Sequence, residues 1–374
     1  MNDSTTTKVL CCPTAFKGSL GALQVAAAMA LGADEVMGRG SAILLPLSDG
    51  GPGLIDALTH SASAAPELSS TEVEGPLGAP AAVRLLTLAG ATVIESADAT
   101  GLHLMVPADR DPLLASSRGV GEAIKAAVGR ATGSIVVGLG GSATVDGGTG
   151  MARVFGYRFL DSSGAELPEG GGALADLAAI EPGDPPDVDV AALADVRSHL
   201  CGPDGAAYRF SAQKGATPAE VERLEAGLSQ LSEIISRDLG VDVADLEGAG
   251  AAGGLGAGCV AFLGAGLRPG ADWVMEQVGF DRFLEDCDLV VTGEGAWDST
   301  SGLGKVVYEV SRRSAEAGKP LLLACGRLDG VSSEPGLVAV DGGGAWLDEK
   351  GLARVVATAL REHGGRLQGP GGPV

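Results

Sequence analysis

The amino-acid sequence predicts an α/β protein with two domains, each built on its own sheet. At both ends of the 374-residue chain, apolar segments of five or six residues alternate with helical patterns, which is typical of a parallel sheet covered by helices. The middle of the chain instead has extended segments joined by short turns, which indicates a mixed sheet. A chain of this length has enough apolar residues for two medium-sized domains. We therefore expect a discontinuous α/β domain at 1–66 and 286–374, with a second α/β domain inserted at 67–285.

The N-terminal part predicts one βαβ unit. Residues 9–13 and 42–47 are apolar and have the length of buried strands, and the alanine-rich segment 20–31 between them has the composition of a helix. The C-terminal part repeats this alternation. Its predicted strands are 288–292, 320–325 and 337–340, and its predicted helices are 305–317 and 352–362.

The middle of the chain predicts hairpins followed by helices. Residues 72–95 form extended segments joined by a turn-forming Ala-Gly pair, and a helix at 120–131 and a strand at 134–138 follow. The helix at 218–238 is the clearest, because Thr217 can cap its first turn and Glu220 stands three residues later, as in a capping box.

The charge and composition exclude several classes of function. A net charge of −22 repels nucleic-acid phosphates and anionic lipids, and 3% aromatic residues leave few surfaces on which bases could stack. Six cysteines without CxxC spacing and four scattered histidines indicate neither a disulfide framework nor a zinc site. The polar start MNDSTTTK lacks the apolar core of a signal peptide, so we expect a cytoplasmic protein. Residues 248–267 are uncharged over a membrane-spanning length, but eight of these 20 residues are glycine, which disfavours a membrane helix.

Five glycine-rich loops are the predicted places for chemistry, because glycine lets backbone N–H groups come close to a phosphate. They are 15–19, 47–53, 138–148, 248–258 and 292–305. Lysines lie in or beside the loops at Lys17, Lys214 and Lys305. Acidic residues in the loops could hold Mg²⁺ or accept a proton, or could instead only cap turns and helices. These acidic residues are Asp49, Asp146, Glu294 and Asp298.

Two better-known nucleotide motifs are disfavoured. Gly138, Gly140 and Ala143 fit a dinucleotide-binding pattern, but residues 144–150 that follow are poor helix formers, and the similar pattern at 248–253 follows no strand. A Walker A loop is absent, because Val306 stands after Lys305 where a hydroxyl is needed. The pattern that remains is a phosphate site of another type.

Six motifs, in order along the chain, resemble the bacterial type I glycerate kinases, which phosphorylate D-glycerate with ATP. They are FKGSL at 16–20, DGG at 49–51, GGSATVDGGTGM at 140–151, PDGAAYRFSAQKGAT at 203–217, GAGAAGGLGAG at 248–258 and TGEGAWDSTSGLGK at 292–305. The resemblance spans the chain. It implies an ATP-dependent phosphotransferase that uses Mg²⁺, with a mixed-sheet α/β domain inserted into a Rossmann-like domain.

The chain departs from the family pattern at many polar positions. They are Thr14, Ala15, Pro52, Arg118, Val120, Val145, Ser198, His199, Ala296, Thr300 and Leu303. Ala296 replaces an arginine, the side chain best suited to clamp a carboxylate. Three hypotheses stay open. The first is a kinase for another small hydroxy acid, such as a hydroxy-phosphonate or other specialised metabolite, whose anion Arg118 or His199 reaches. The second is a glycerate kinase with a rearranged pocket. The third is an inactive paralogue that binds nucleotide or metabolite as a regulatory protein.

The resemblance and the loops together predict residue roles. Asp195 accepts the proton of the substrate hydroxyl, with Asp298 as the alternative, and Lys17 and Lys305 add positive charge. The predicted nucleotide contacts are Gly140, Gly141, Ser142, Asp146, Gly147, Gly148, Lys214, Gly253, Gly254 and Gly256. The predicted acceptor contacts are Ser19, Asp49, Gly50, Gly51, Arg118, His199 and Thr300, and the predicted metal ligands are Asp49 and Glu294. Ser19 and Ser142 could equally only close their own turns.

The predicted partners are a nucleotide and a small hydroxy acid, in a cleft between the two domains. We expect no nucleic acid or membrane partner, and the sequence leaves a homodimer open.

Overall fold

A computed structural model of the chain gives its fold. The structure describes residues 7–16, 18–61, 66–130, 133–194, 199–297, 305–329, 337–343, 348–364 and 367. Its strands are β1 (Val9–Cys11), β2 (Ala42–Leu44), β3 (Glu67–Glu74), β4 (Pro80–Leu88), β5 (Ala91–Glu95), β6 (Ser134–Gly138), β7 (Arg158–Leu160), β8 (Ala179–Glu181), β9 (Asp189–Ala194), β10 (Gly266–Pro269), β11 (Leu289–Thr292), β12 (Ala296–Trp297), β13 (Leu321–Cys325), β14 (Arg327–Leu328) and β15 (Leu337–Asp341).

The α-helices are α1 (Ala22–Met37), α2 (Leu54–Ser61), α3 (Ser96–Thr100), α4 (Arg118–Val128), α5 (Thr149–Arg153), α6 (Ala206–Phe210), α7 (Pro218–Leu239), α8 (Ala251–Leu263), α9 (Gly270–Val278), α10 (Phe280–Asp286), α11 (Val306–Glu316) and α12 (Glu349–His363). Short 3₁₀ helices lie at Leu102–Leu104, Pro107–Asp109, Gly171–Asp176 and Ala212–Lys214.

The chain divides into two compact units. Unit 1 contains residues 1–49, 56–63 and 271–374, and unit 2 contains residues 50–55 and 64–270. The predicted domain ranges stay a prediction. The units differ from them at 50–55, 64–66 and 271–285.

Unit 1 is built on a five-stranded sheet in the order β15-β13-β11-β1-β2, in which every neighbouring pair is parallel. The strands β1 and β2 with α1 between them form the predicted βαβ unit. The helices α1 and α12 pack so closely that a Cβ built on Gly32 would lie 2.4 Å from the Ala353 carbonyl oxygen. Fully buried residues from the sheet and both helices form the core, among them Val9, Met29, Leu322 and Val356. The parallel-sheet part of the predicted fold class is confirmed.

Unit 2 is built on a six-stranded sheet in the order β10-β9-β6-β5-β4-β3. The strands β5, β6, β9 and β10 run parallel, whereas β3, β4 and β5 form an antiparallel meander. The helix α7 begins with the predicted capping box, since Thr217 Oγ1 accepts from the Glu220 N–H and the Glu220 carboxylate accepts from the Thr217 N–H. The mixed-sheet part of the predicted fold class is also confirmed.

The glycine-rich segment 248–258 begins as a non-helical stretch, as predicted, but its last four residues, 255–258, belong to a helix that the sequence did not predict. The helix α8 runs from Ala251 to Leu263, although three residues at 252–254 have positive φ and interrupt it. Glycine has a low intrinsic helix propensity, but burial of Leu255, Cys259 and Phe262 stabilises this helix. In the part of the chain that the structure describes, no helix has both the length and the apolar character needed to cross a bilayer.

Candidate functional site

The ends of three parallel strands bring several loops of unit 2 together. Glu95, the last residue of β5, pairs in register with Gly138, the last residue of β6, and Gly138 pairs with Leu193 of β9. Loops at the carboxyl edge of a parallel sheet are common ligand sites. The loop that leaves β6 contains the most specific motif of the sequence.

We call residues 140–142 the anion loop, because their backbone is suited to bind an anion. Gly141 has a φ of 62° and is exposed, Gly140 is half-buried, and Ser142 is 3% exposed. Within the described residues, the N–H groups of these three residues have no hydrogen-bond acceptor. Successive N–H groups without internal partners form a concavity that attracts phosphate oxygens.

Hydrogen bonds on either side of these N–H groups fix the anion loop. The Leu102 N–H donates to the Gly141 carbonyl oxygen at 2.9 Å, and the Ala143 N–H donates to the Thr100 carbonyl oxygen at 2.6 Å. The Gly141 carbonyl group and the Ala143 N–H therefore anchor the loop, while the N–H groups of residues 140–142 stay available. Such preorganisation reduces the cost of ordering the loop around a ligand.

Lys214 supplies a buried positive charge beside the anion loop. Its side chain is almost completely buried, and Nζ donates to Ser142 Oγ at 3.0 Å and to the Thr144 carbonyl oxygen at 2.7 Å. Burial lowers the pKa of Lys214 to about 7, although the charge of Asp146 opposes this change. A bound anion would favour the charged form.

Asp146 has an internal role in this structure. Its Oδ2 accepts from the N–H and the hydroxyl of Ser117 at 2.8 and 2.7 Å and from the Gly150 N–H at 3.1 Å, and its Oδ1 accepts from the Gly148 N–H at 3.2 Å. Burial raises its pKa. These bonds tie the turn after the anion loop to the start of α4. The geometry therefore does not favour the predicted contact of Asp146 with a nucleotide.

The other predicted phosphate-binding glycines lie in an interior contact between the loop after β6 and α8. All five are buried: Gly147, Gly148, Gly253, Gly254 and Gly256. The Gly147 N–H donates to the Gly253 carbonyl oxygen at 3.1 Å. A Cβ on Gly253 would lie 1.9 Å from the Thr144 carbonyl oxygen. These glycines allow two backbones to touch, which is an alternative reason for glycine that the sequence analysis did not weigh.

Three of the predicted acceptor contacts can be described by their local surroundings. Arg118 donates from Nε to Glu169 Oε1 at 2.8 Å, and this hydrogen bond raises its pKa, so its guanidinium has an internal partner. His199 is exposed. The Ser19 hydroxyl donates to the Phe16 carbonyl oxygen at 3.1 Å and so closes its own turn. Four predicted residues lie outside the described residues, namely Lys17, Asp195, Asp298 and Thr300.

Within unit 1, the two predicted metal ligands follow the two strands that flank β1. Asp49 comes after β2 and Glu294 after β11, and both strands pair with β1. In the described ranges, no three His, Cys, Asp or Glu side chains form a group that could hold a metal ion. Mg²⁺ is often held by one or two carboxylates together with substrate phosphates, so this pair of oxygen donors fits Mg²⁺. Lys305 directly precedes α11 in the same unit.

Sequence analysis missed one buried group of the site. Glu95 is 2% exposed and lies at the end of β5, next to the start of the loop after β6. Burial raises its pKa to about 7. The sequence signal for Glu95 was an acidic residue at the end of an otherwise apolar strand. That signal points to the site only once β5 is known to pair with β6.

Comparison with known proteins agrees with this architecture. The profile of the glycerate kinase family matches residues 9–340. The chain is 38% identical to the glycerate kinase of Halalkalibacterium halodurans over 86% of this chain and 85% of that protein. It is also 38% identical to the glycerate 2-kinase of Escherichia coli K12 over 89% of each. A crystal structure from Salmonella typhimurium LT2, provisionally assigned as glycerate kinase 2, has a TM-score of 0.78 and 36% identity, covering 97% of this chain and 98% of that chain. The resemblance and the fold class predicted from the sequence are confirmed, and the chain belongs to the glycerate kinase family.

Proposed function

We propose that the protein transfers the terminal phosphoryl group of ATP to a hydroxyl of a small hydroxy acid, either glycerate or an analogue such as a hydroxy-phosphonate. The anion loop with Lys214 carries this proposal. It offers three backbone N–H groups that have no acceptor among the described residues, and an ammonium group 3.0 Å from Ser142 Oγ. The relatives named as glycerate kinases support the reaction class.

Phosphoryl transfer needs positioning and charge neutralisation more than covalent chemistry from the protein. The N–H groups of residues 140–142 and Lys214 would bind phosphate oxygens of the nucleotide. Asp49 and Glu294 would hold Mg²⁺, which when bound supplies positive charge to phosphate oxygens. Lys17 and Lys305 would add further charge.

The proposed transfer forms one bond, breaks one bond and moves one proton. The acceptor hydroxyl oxygen forms a bond to the terminal phosphorus, and the bond from that phosphorus to the bridging oxygen of ADP breaks. The hydroxyl proton goes to a carboxylate, for which Asp195 is our first choice and Asp298 the second. Changing Asp195 to Asn is expected to lower kcat at least about 10²-fold, and an unchanged kcat would remove Asp195 from the mechanism.

The pairing of Arg118 with Glu169 narrows the choice of residue that binds the anionic group of the acceptor. Of the two residues proposed to reach the acceptor's anionic group, His199 remains the exposed one. A histidine imidazole can bind an anionic group such as a phosphonate, so we propose His199 for this contact.

The experiment is a direct assay of ADP formation with ATP and Mg²⁺ over D-glycerate, L-glycerate and a hydroxy-phosphonate. We expect turnover with at least one acceptor above the rate of ATP hydrolysis alone. No turnover with any acceptor, combined with a higher Tm in the presence of ATP, would contradict the kinase proposal and favour the nucleotide-binding paralogue.

A further inference from the structure

Glu95 connects the end of β5 to a segment that is distant in sequence. Its carboxylate Oε1 accepts from the Ile55 N–H at 2.7 Å, and its Oε2 accepts from the Gly53 N–H at 3.1 Å. Ile55 lies in the first turn of α2, where backbone donors lack partners within the helix, and Gly53 directly precedes that helix. A carboxylate there is stabilised by the helix dipole as well. Glu95 thus fixes the start of α2 to the sheet edge of unit 2.

A cation completes this arrangement. Arg84 Nη2 lies 3.3 Å from Glu95 Oε2, and Arg84 Nε lies 3.0 Å from Asp98 Oδ2. The Glu95 side chain is 3% exposed. Burial raises the pKa of Glu95, whereas Arg84 and the two N–H donors favour its charged form. These partners therefore stabilise a carboxylate at this buried position.

The segment 50–53, which Glu95 holds, lies directly against the anion loop and against Gly138, the last residue of β6 before that loop. A Cβ on Gly138 would lie 2.3 Å from the Gly50 carbonyl oxygen. One on Gly140 would lie 3.0 Å from Gly51 Cα, and one on Gly141 would lie 2.8 Å from Pro52 Cγ. The two backbones are therefore in contact without intervening space. Displacement of the segment 50–53 must displace the anion loop or open a void beside it.

We propose that Glu95 is a positioning residue for phosphate binding, which acts by clamping residues 50–53 against the anion loop. The proposal rests on the proposed function in taking the anion loop as the phosphate site. Glu95 touches neither substrate nor the reacting atoms in this account. Lys214 and Glu95 act at different points, since Lys214 donates to Ser142 and Glu95 holds the segment that contacts Gly140 and Gly141.

The first test compares Glu95→Ala with Asp34→Asn. Asp34 is a matched control in unit 1, because its carboxylate also accepts from two backbone N–H groups, those of Gly40 and Ala42, each at 3.0 Å. Glu95→Ala is expected to raise KM for ATP about tenfold or more while kcat stays within about threefold, since small displacements of positioning groups can cost up to 10²-fold. Asp34→Asn is expected to lower Tm with KM for ATP unchanged. Glu95→Gln keeps one acceptor oxygen and should give an intermediate KM.

Amide hydrogen exchange of the ligand-free protein separates this inference from the proposed function. Glu95→Ala should speed exchange in peptides that cover 50–55 and 139–143, and Asp34→Asn should speed neither. If the wild-type protein shows no turnover, the proposed function fails and exchange alone decides about Glu95. If Glu95→Ala does not fold, Glu95→Gln is used in the same two measurements. Unchanged KM and unchanged exchange at 139–143, with only a lower Tm, would overturn the positioning role.

Discussion

Two glycine-rich regions of unit 2 have similar composition and opposite surroundings. The anion loop has an exposed Gly141, and its N–H groups have no acceptor within the described chain. The region of 253–256 is buried, and the Gly253 carbonyl oxygen accepts from Gly147. Both regions need glycine, the first so that a ligand can approach the backbone and the second so that another part of the chain can. Substitutions should therefore harm binding in the first region and folding in the second.

The largest expected effect is that of Gly253→Ala on stability. Gly253 has a φ of 74°, and its new Cβ would lie 1.9 Å from the Thr144 carbonyl oxygen, a rigid backbone atom. Overpacking together with positive-φ strain should lower the free energy of unfolding by about 3 kcal/mol or more. Chemical denaturation measures this. A variant as stable as the wild type would show that α8 does not pack against the loop after β6 as described.

The pattern of success and failure in sequence-based prediction follows from the range of the interactions. The helix α7 was predicted within one residue, because its cap and its periodicity are local. The helix α8 was missed because its stability comes from burial of residues such as Leu255, which overrides glycine's low propensity. The nucleotide contact predicted for Asp146 stays a prediction, and no local pattern indicates that its carboxylate also accepts from Ser117, 29 positions away in the sequence. Glu95 matters only through the pairing of β5 with β6, which no local pattern encodes.

The next largest effect is expected for Lys214→Met, which should separate binding from stability. Removing the ammonium should lower kcat/KM for ATP about 10²-fold, as for loss of one charge-stabilising donor. The substitution also removes a charge whose burial is unfavourable, as the low pKa of Lys214 shows. Tm should therefore fall much less than in Gly253→Ala. Equal losses in Tm for the two variants would mean that Lys214 serves folding rather than phosphate binding.

A smaller effect is expected for Gly141→Ala, the counterpart of Gly253→Ala in the exposed region. The new Cβ would lie 2.8 Å from Pro52 Cγ, an atom of an exposed ring that can shift. Stability should fall by only about 1 kcal/mol, the usual cost of a side chain at positive φ. KM for ATP should rise about tenfold, because the methyl group alters the backbone that binds phosphate. Steady-state kinetics with varied ATP, with chemical denaturation in parallel, tests both. A stability loss as large as that of Gly253→Ala would erase the distinction between the two regions.

The smallest expected effect is the pH dependence that Lys214 gives to stability and to ADP binding at the anion loop. The pKa of Lys214 is about 7 in the free protein, lowered by burial from its ordinary 10.5. Between these two pH values the unfolded state binds the extra proton, so the contribution of Lys214 to stability increases as pH rises. A phosphate bound to the anion loop should raise this pKa, so ADP binding at pH 8 should take up a fraction of one proton, and ADP affinity should fall as pH rises above about 7. Calorimetry in two buffers of different ionisation enthalpy measures the proton uptake.

The control variant is Lys214→Arg, which keeps the charge at every pH. It should abolish the proton uptake while it retains some affinity for ADP. Uptake that persists in Lys214→Arg would locate the titrating group elsewhere and separate Lys214 from the anion loop.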